Sequence, residues 1–482
     1  MITIKLTIEG LNVSGAYVGG GGEEYTIEIP NKSYRLHVID LYKDTLHLLT
    51  RLVREGTFHR EEHINDFKIL GENLYSILLG HQDNELGKIL EKLIYEDNKE
   101  VNLQLAFEED SEFIGWPWEL IYHKRDEKNG EFLLDKGNVF FYRSLKKPFE
   151  KKVNEVANKE IKILFVAFGP HSKIRLRDPR DDASAEELEK NNLACLQYAN
   201  IRKYLLELRD TSYKGTGIKF RVESLTEEDL NEKLLQEGYV EEEINYQVTL
   251  DKVSEKLVQF NPDILHIVAH GYCSENGGEI ACVTGREIRW EKESNLFKAY
   301  KESQVREPGR LRMVFFQTCE SALPGNFKRG SGLALNAFKD DIHSVVAMQS
   351  KISQELACNF SIAFYQKLFD QHNKSNKIIS AFKAARQEIG KRAFFGIPVL
   401  YTRTGQEWDA SIVTPGNSTI QAGKVKCIWC GEENEEGYNF CGECGKSIRC
   451  KSCKKQLPAE FTSFHDKTHC PFCGKEDTII SQ

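Results

Sequence analysis

Two stretches, "DILHIVAHG" (263–271) and "LRMVFFQTC" (311–319), are apolar on consecutive residues, not on alternate ones. A strand of that kind has no face left for water and needs cover above and below. "IKILFVAFG" (161–169) and "HSVVAMQS" (343–350) read the same way, and "GIKFRVESL" (217–225) adds a further strand. Between and after them, 184–208, 247–259, 352–371 and 377–391 carry helical periodicity. Strands alternating with helices in this order predict an α/β fold: a mainly parallel sheet flanked by helices on both faces. In such sheets, functional groups gather at the carboxyl ends of strands.

At 482 residues and 40% apolar content the chain has room for two or three domains. At the N-terminus, "ITIKLTIEG" and "EEYTIEIP" flank "VGGGGEE", which predicts a β-hairpin within 1–37. The glycine run is no phosphate loop, because Lys-Ser/Thr and a following helix are missing. Residues 38–97 are helical in pattern, and "NLQLAFEE" is a short strand. The "WPWELIY" segment (116–122) is too bulky and apolar for a solvated loop, so aromatic packing against the following domain is expected.

No apolar run approaches the roughly 18 residues of a membrane span, and the N-terminus alternates where a signal peptide would be uniformly apolar. A cytoplasmic protein with no membrane partner is expected. The formal charge is −8 with both signs spread along the chain, so no basic field marks a nucleic-acid partner.

Of thirteen cysteines, eight fall near the C-terminus in four Cys-x-x-Cys pairs. These are Cys427 with Cys430, Cys441 with Cys444, Cys450 with Cys453, and Cys470 with Cys473. Two pairs supply the four thiolates that tetrahedral Zn²⁺ takes, and Gly431, Gly445 and Gly474 let the backbone curl around sulfur. This predicts about two structural zinc ions and a fold for 427–482 that depends on them. The pattern resembles a double zinc ribbon, pairing first with second and third with fourth. Residues 424–482 carry nine Lys/Arg and nine Asp/Glu, so the module reads as a protein-binding appendage that docks an activator or sensor. The Gly/Ser/Thr-rich stretch 404–426 is its linker.

The two most apolar strands each end in an ionisable residue, His270 and Cys319. Neighbouring parallel strands lie about 4.8 Å apart, so a Cys–His pair is geometrically available. Neutral imidazole suits both proton removal from a thiol and protonation of a leaving amine. Gly271 lets a substrate carbonyl approach the backbone, where the amides of Gly271 and Cys319 are placed to form an oxyanion hole. His270 precedes Cys319 by 49 residues and the triplet is Gln317-Thr318-Cys319, close to the caspase arrangement of Gln-Ala-Cys with its His about 50 residues upstream. His266, on the same strand, reads as structural. Cys273 is the rival thiol nearest His270.

"WPWELIY…FFYRSL", "ILHIVAHG", "VFFQTCESA", "GLALNAF…VVAMQSKIS", "FYQKLF" and "FGIPVLYTR" together resemble the CHAT family, caspase-like cysteine peptidases related to separase. The likeness covers about residues 38–403. It implies a caspase-haemoglobinase fold, a pseudo-caspase lobe (38–150) ahead of a catalytic lobe (151–403), and a dyad on His270 and Cys319. It also implies an endopeptidase acting on a protein substrate in bacterial defence or signalling. Caspase-like sites depend on mobile loops, and the glycine-rich stretches 272–279 and 322–332 read as such loops, so activation by a partner or by self-cleavage is expected. By the same likeness Gln317 lines the substrate pocket; the loop "RLRDPRDDASAEE", which carries both signs, offers Asp178, Arg180, Asp181 or Asp182. CHAT proteins often carry Ser-Ala-Cys where this chain has Gln-Thr-Cys. The contrasting expectation is a non-catalytic scaffold that docks partners through the same fold.

Overall fold

In the computed structural model, the described residues are 2–9, 12–18, 24–27, 44–45, 48, 64–79, 85–124, 129–136, 138–146, 160–169, 196–209, 212–213, 218–227, 229, 248–274, 277–284, 287–292, 295–297, 311–319, 321–322, 332–340, 342–350, 352–369, 378–389, 396–403, 424–426, 433–435 and 443. They divide into two compact units, one of 1–154 with 158–413 and one of 155–157 with 414–482. Among them no helix is long and apolar enough to cross a membrane.

The chain opens with β1 (Ile2–Glu9), β2 (Asn12–Val18) and β3 (Glu24–Ile27). The expected hairpin is thus a three-stranded meander, and β1 also pairs in parallel with β4 (Val101–Phe107), joining it to the main sheet. Helices α1 (Ile64–Leu79) and α2 (Glu85–Glu91) precede β4. A short pair, β5 (Tyr122–Lys124) and β6 (Gly130–Phe132), leads to β7 (Val139–Leu145). Then come β8 (Glu160–Phe168), α3 (Ala199–Leu208), β9 (Ser212–Tyr213), β10 (Ile218–Leu225), α4 (Leu250–Phe260) and β11 (Ile264–Ala269). A small antiparallel sheet of β12 (Gly271–Ser274), β13 (Gly277–Thr284) and β14 (Glu287–Lys292) follows. The first unit closes with β15 (Met313–Thr318), α5 (Leu333–Lys339), β16 (Ser344–Met348), α6 (Gln354–Leu368), α7 (Ile378–Glu388) and β17 (Pro398–Thr402).

Twelve strands form one sheet in the order β3-β2-β1-β4-β7-β17-β16-β15-β11-β8-β10-β9. Its centre is parallel, and β17 runs antiparallel to β16 and parallel to β7. Strands β11, β15 and β16 are buried along their whole length. Alternate side chains feed two cores. Leu265, Ile267, Val314 and Phe316 join one with α4 and α5; Val268, Met313 and Phe315 join the other with α3, α6 and α7. The α/β layering expected from the apolar runs is the observed one.

Local signals set the helix ends that place these strands. The Thr249 hydroxyl accepts from the amide of Lys252 at 3.3 Å to start α4, and Asn261 ends it in the left-handed region at φ 47°. Ser353 starts α6 in the same manner, accepting from Leu356 at 3.2 Å. Asp263 then staples three strand starts. Its carboxylate accepts from Lys162 N at 2.8 Å and its carbonyl from Arg312 N and Met313 N, at 2.9 and 3.1 Å. The carboxyl ends of β8, β11 and β15 therefore leave the sheet in step.

The "WPW" segment is core. Trp116 and Trp118 have no exposed surface and stack at 5.9 Å, and the Trp118 indole donates to the Phe113 carbonyl at 2.7 Å. Gly71 is required here: a Cβ would stand 2.2 Å from the Leu120 carbonyl, so α1 can lie this close only with glycine. Beside it, Arg143 and Glu119 form an ion pair, 0% and 1% exposed. The guanidinium also donates to the Ile114 carbonyl at 2.6 Å, the Tyr401 hydroxyl at 3.3 Å and the Gln349 side-chain oxygen at 3.2 Å. Charge this deep is tolerable because its donors are used.

Candidate active site

Strands β11 and β15 pair in register from Ile264↔Met313 to Ala269↔Thr318. The next residue on each is His270 and Cys319, and both emerge from the buried ladder to partial exposure. Gly271 fits against the Cys319 backbone. A Cβ there would stand 2.3 Å from the Cys319 carbonyl oxygen and 3.2 Å from the Thr318 Cβ. Only glycine permits that approach. The His270 carbonyl accepts from the Ala281 amide at 2.9 Å, so β13 holds the histidine's main chain. The glycine-bearing stretch 272–279, expected as a mobile loop, is largely the β12–β13 hairpin.

The other described thiols are unsuited to attack. Burial, assisted by Glu291, pushes Cys282 up to about 12, and burial raises Cys358. Cys319 is the partly exposed thiol among the described cysteines. The Cys273 backbone lies in β12, and its side chain is outside the described residues.

Gln317 is 7% exposed and points its oxygen inward. That oxygen accepts from the Ser361 hydroxyl at 2.8 Å and from His266 Nε2 at 3.2 Å. His266 Nδ1 then accepts from the Tyr365 hydroxyl, 3.0 Å away. The ring is stacked against Phe315 and Phe165, with centroids at 4.6 and 5.3 Å. Burial drives the His266 pKa down to about 3, partly offset by the bond to Gln317. A neutral histidine with both nitrogens used is structural, as expected.

His343 shares the effect: burial, then Arg312 and Arg403, lowers it to about 4. Both rings bind protons more readily when unfolded, so stability falls as pH drops through the ordinary histidine range toward these values. From about pH 7 to about pH 5, His266 alone should cost roughly 2 kcal/mol, and His343 adds in the same direction. Urea midpoints measured across that range check this. A wild-type midpoint independent of pH would contradict it, and His266→Phe should flatten part of the slope.

Asp178 and Asp182 lie outside the described residues. So do all eight cysteines expected to ligate zinc: Cys427, Cys430, Cys441, Cys444, Cys450, Cys453, Cys470 and Cys473. Among the described residues, no group of three or more His, Cys, Asp or Glu is arranged to hold a metal ion. From the tail, β18 (Lys424–Lys426) and β19 (Glu433–Glu435) form an antiparallel pair.

The polar residues around the Cys319 turn had no sequence signal. Ser321 donates to the Thr318 carbonyl, and Gln349 meets Glu119, 230 positions away.

The model of the CHAT domain matches residues 68–393, and the chain belongs to the CHAT domain family. No curated protein matches the chain at a significant level. Among solved structures, the chain is similar to the Arg-specific cysteine proteinase gingipain R, at 11% identity and a TM-score of 0.33, covering 73% of this chain and 68% of that one. Similar values hold for the complex of the pro- and mature gingipain domains from Porphyromonas gingivalis, at 10% identity, TM-score 0.34 and coverage of 73% and 70%. For separase in the Saccharomyces cerevisiae separase–securin complex they are 12% and 0.36, with 83% of this chain and 30% of that chain covered.

Proposed function

We propose that this chain is a cysteine endopeptidase that cleaves a protein partner through Cys319 and His270. The observation that carries the reading is the register of β11 and β15, which brings the two residues to adjacent strand ends, with Gly271 against the Cys319 carbonyl. Membership of the CHAT family supports it. His270 takes the Cys319 proton, and the thiolate attacks the scissile carbonyl. The amides of Gly271 and Cys319 receive the negative oxygen. As the C–N bond breaks, His270 returns the proton to the leaving amine, leaving an acyl-enzyme thioester. Water, deprotonated by His270, then releases the acid and restores the thiol. Gln317 offers a substrate its amide nitrogen, since its oxygen is engaged by Ser361 and His266. Asp178 and Asp182 remain proposed pocket residues.

The test is labelling of the full chain with an acyloxymethyl ketone, followed by peptide mapping. Modification at Cys319 that is lost in His270→Ala supports the enzyme. Equal labelling in both proteins, or none at Cys319, favours the docking scaffold.

The domain scheme proposed with it has a lobe at 38–150, a catalytic lobe at 151–403, a linker at 404–426 and two Cys₄ zinc ribbons at 427–482. In that scheme Cys427, Cys430, Cys441 and Cys444 hold one ion, and Cys450, Cys453, Cys470 and Cys473 hold the other. The antiparallel pair of 424–426 with 433–435 brackets Cys427 and Cys430, which supports a knuckle there. The ribbons recruit a substrate or an activator, and family membership favours a defence or signalling setting. Metal analysis should find about two Zn²⁺ per full chain and about none after removal of 424–482. The truncated protein should keep Cys319 labelling, because thiol attack needs no metal. Loss of labelling in a folded truncation would place the ribbons in the active site.

A further inference from the structure

The nucleophile turn is held unequally on its two sides. Toward β11 the ladder runs up to Thr318, whereas toward β16 it ends at Phe315↔Val346, four residues before Cys319. Ser321 spans the gap. Its hydroxyl donates to the Thr318 carbonyl at 2.8 Å and accepts from the Met348 amide at 3.0 Å, and the Ala322 amide donates to the Met348 carbonyl at 2.8 Å. With one proton given and one received, this buried hydroxyl ties the turn to the end of β16.

The end of β16 is in turn fixed from elsewhere. Gln349, 1% exposed, gives its backbone amide to the Ile397 carbonyl at 2.8 Å. Its side-chain nitrogen donates to the Gly396 carbonyl and to Glu119 Oε2, the latter at 3.2 Å, and its oxygen accepts from Arg143. Glu119 belongs to the "WPWE" segment, anchored by the stacked tryptophans and paired with Arg143. A continuous set of buried bonds thus runs from Glu119 through Gln349 and Met348 to Ser321, which closes on the carbonyl just before Cys319.

We propose that Ser321 and Gln349 are positioning residues that align Cys319 with His270, with Glu119 as their fixed end. The proposal rests on the Cys–His reading above. Reactivity that depends on alignment falls steeply with sub-ångström displacement, and this link opposes the displacement that the short β15–β16 ladder leaves open.

The test is the rate of Cys319 alkylation by iodoacetamide in the folded full chain, measured by peptide mapping for wild type, His270→Ala, Ser321→Ala, Ser321→Thr, Gln349→Met and the Ser321→Ala/Gln349→Met double variant. Loosened packing alone exposes the thiol and leaves the rate unchanged or faster. Lost alignment slows it. The expected result is a drop of about ten-fold in Ser321→Ala and in Gln349→Met. The double variant should fall well short of the product of the two, because both act on one link, and Ser321→Thr, which keeps the hydroxyl, should recover most of the rate. If His270→Ala alkylates as fast as wild type, the Cys–His reading fails and this inference with it. If His270→Ala is slow while Ser321→Ala and Gln349→Met react at or above the wild-type rate, the positioning role alone is overturned. Should Gln349→Met not fold, the contrast between Ser321→Ala and Ser321→Thr decides.

Discussion

Replacing Cys319 by alanine is expected to abolish peptide cleavage, with a loss of about 10⁴-fold or more, while the fold persists. Cys319 lies in a partly exposed turn beyond the end of β15, so removing its sulfur opens little cavity. The ladder behind it does not depend on that side chain, since Ala269↔Thr318 is its last pair. His270→Ala should cost nearly as much, and the double variant scarcely more than either, because members of a catalytic pair act as a unit. Cleavage can be followed with a fluorogenic peptide library and with the native partner, with folding checked by circular dichroism. Processing by folded Cys319→Ala at a wild-type rate would remove Cys319 from the mechanism. The rivals within the described residues, Cys282 and Cys358, have raised pKa values and should leave cleavage intact when changed to alanine.

Glu119→Leu should be the most destabilising single change in the core described here. It leaves the Arg143 guanidinium, with no exposed surface, without its carboxylate, and removes an acceptor from Gln349. Breaking a buried pair in this way costs about 3–5 kcal/mol, a large share of the roughly 5–15 kcal/mol that holds a domain folded. Arg386 worsens the imbalance. Burial has lowered it to about 10, and the negative charge of Glu119 is what partly offsets that burial. Urea unfolding should show the loss as a lower midpoint at unchanged slope. Removing both partners in Glu119→Leu/Arg143→Leu should cost less than Glu119→Leu alone, since the Arg143 guanidinium is then no longer left without its carboxylate and only Arg386 loses the offsetting charge. A Glu119→Leu midpoint within error of wild type would show that the pair adds nothing to stability.

Much of this architecture can be read from local pattern. A largely apolar run such as 264–269 or 313–318 is satisfied in a strand buried on both faces, so β8, β11, β15 and β16 were legible as buried strands of the sheet. The candidate pair was legible for the same reason, because a polar residue directly after such a run must stand at a strand end. The second unit was readable only as cysteine spacing, and its expected zinc ligands, from Cys427 to Cys473, lie outside the described part of the molecule.

Other features depend on residues far apart in the chain. The insertion of β17 antiparallel between β16 and β7 leaves no trace in "GIPVLYTR", since strand period says nothing of neighbours. Nothing in "FFYRSL" marks Arg143 as buried; it is so because Glu119, Gln349 and Tyr401 converge on it, the last from 258 positions away. Gln317 looked like a pocket residue, and it was strand register that set its oxygen against His266 and Ser361. Periodicity is a property of a few consecutive residues, so sequence alone determined the buried central strands and where they end. Hydrogen-bond partners across a sheet are chosen by topology, so only the tertiary structure decided what holds those ends in place.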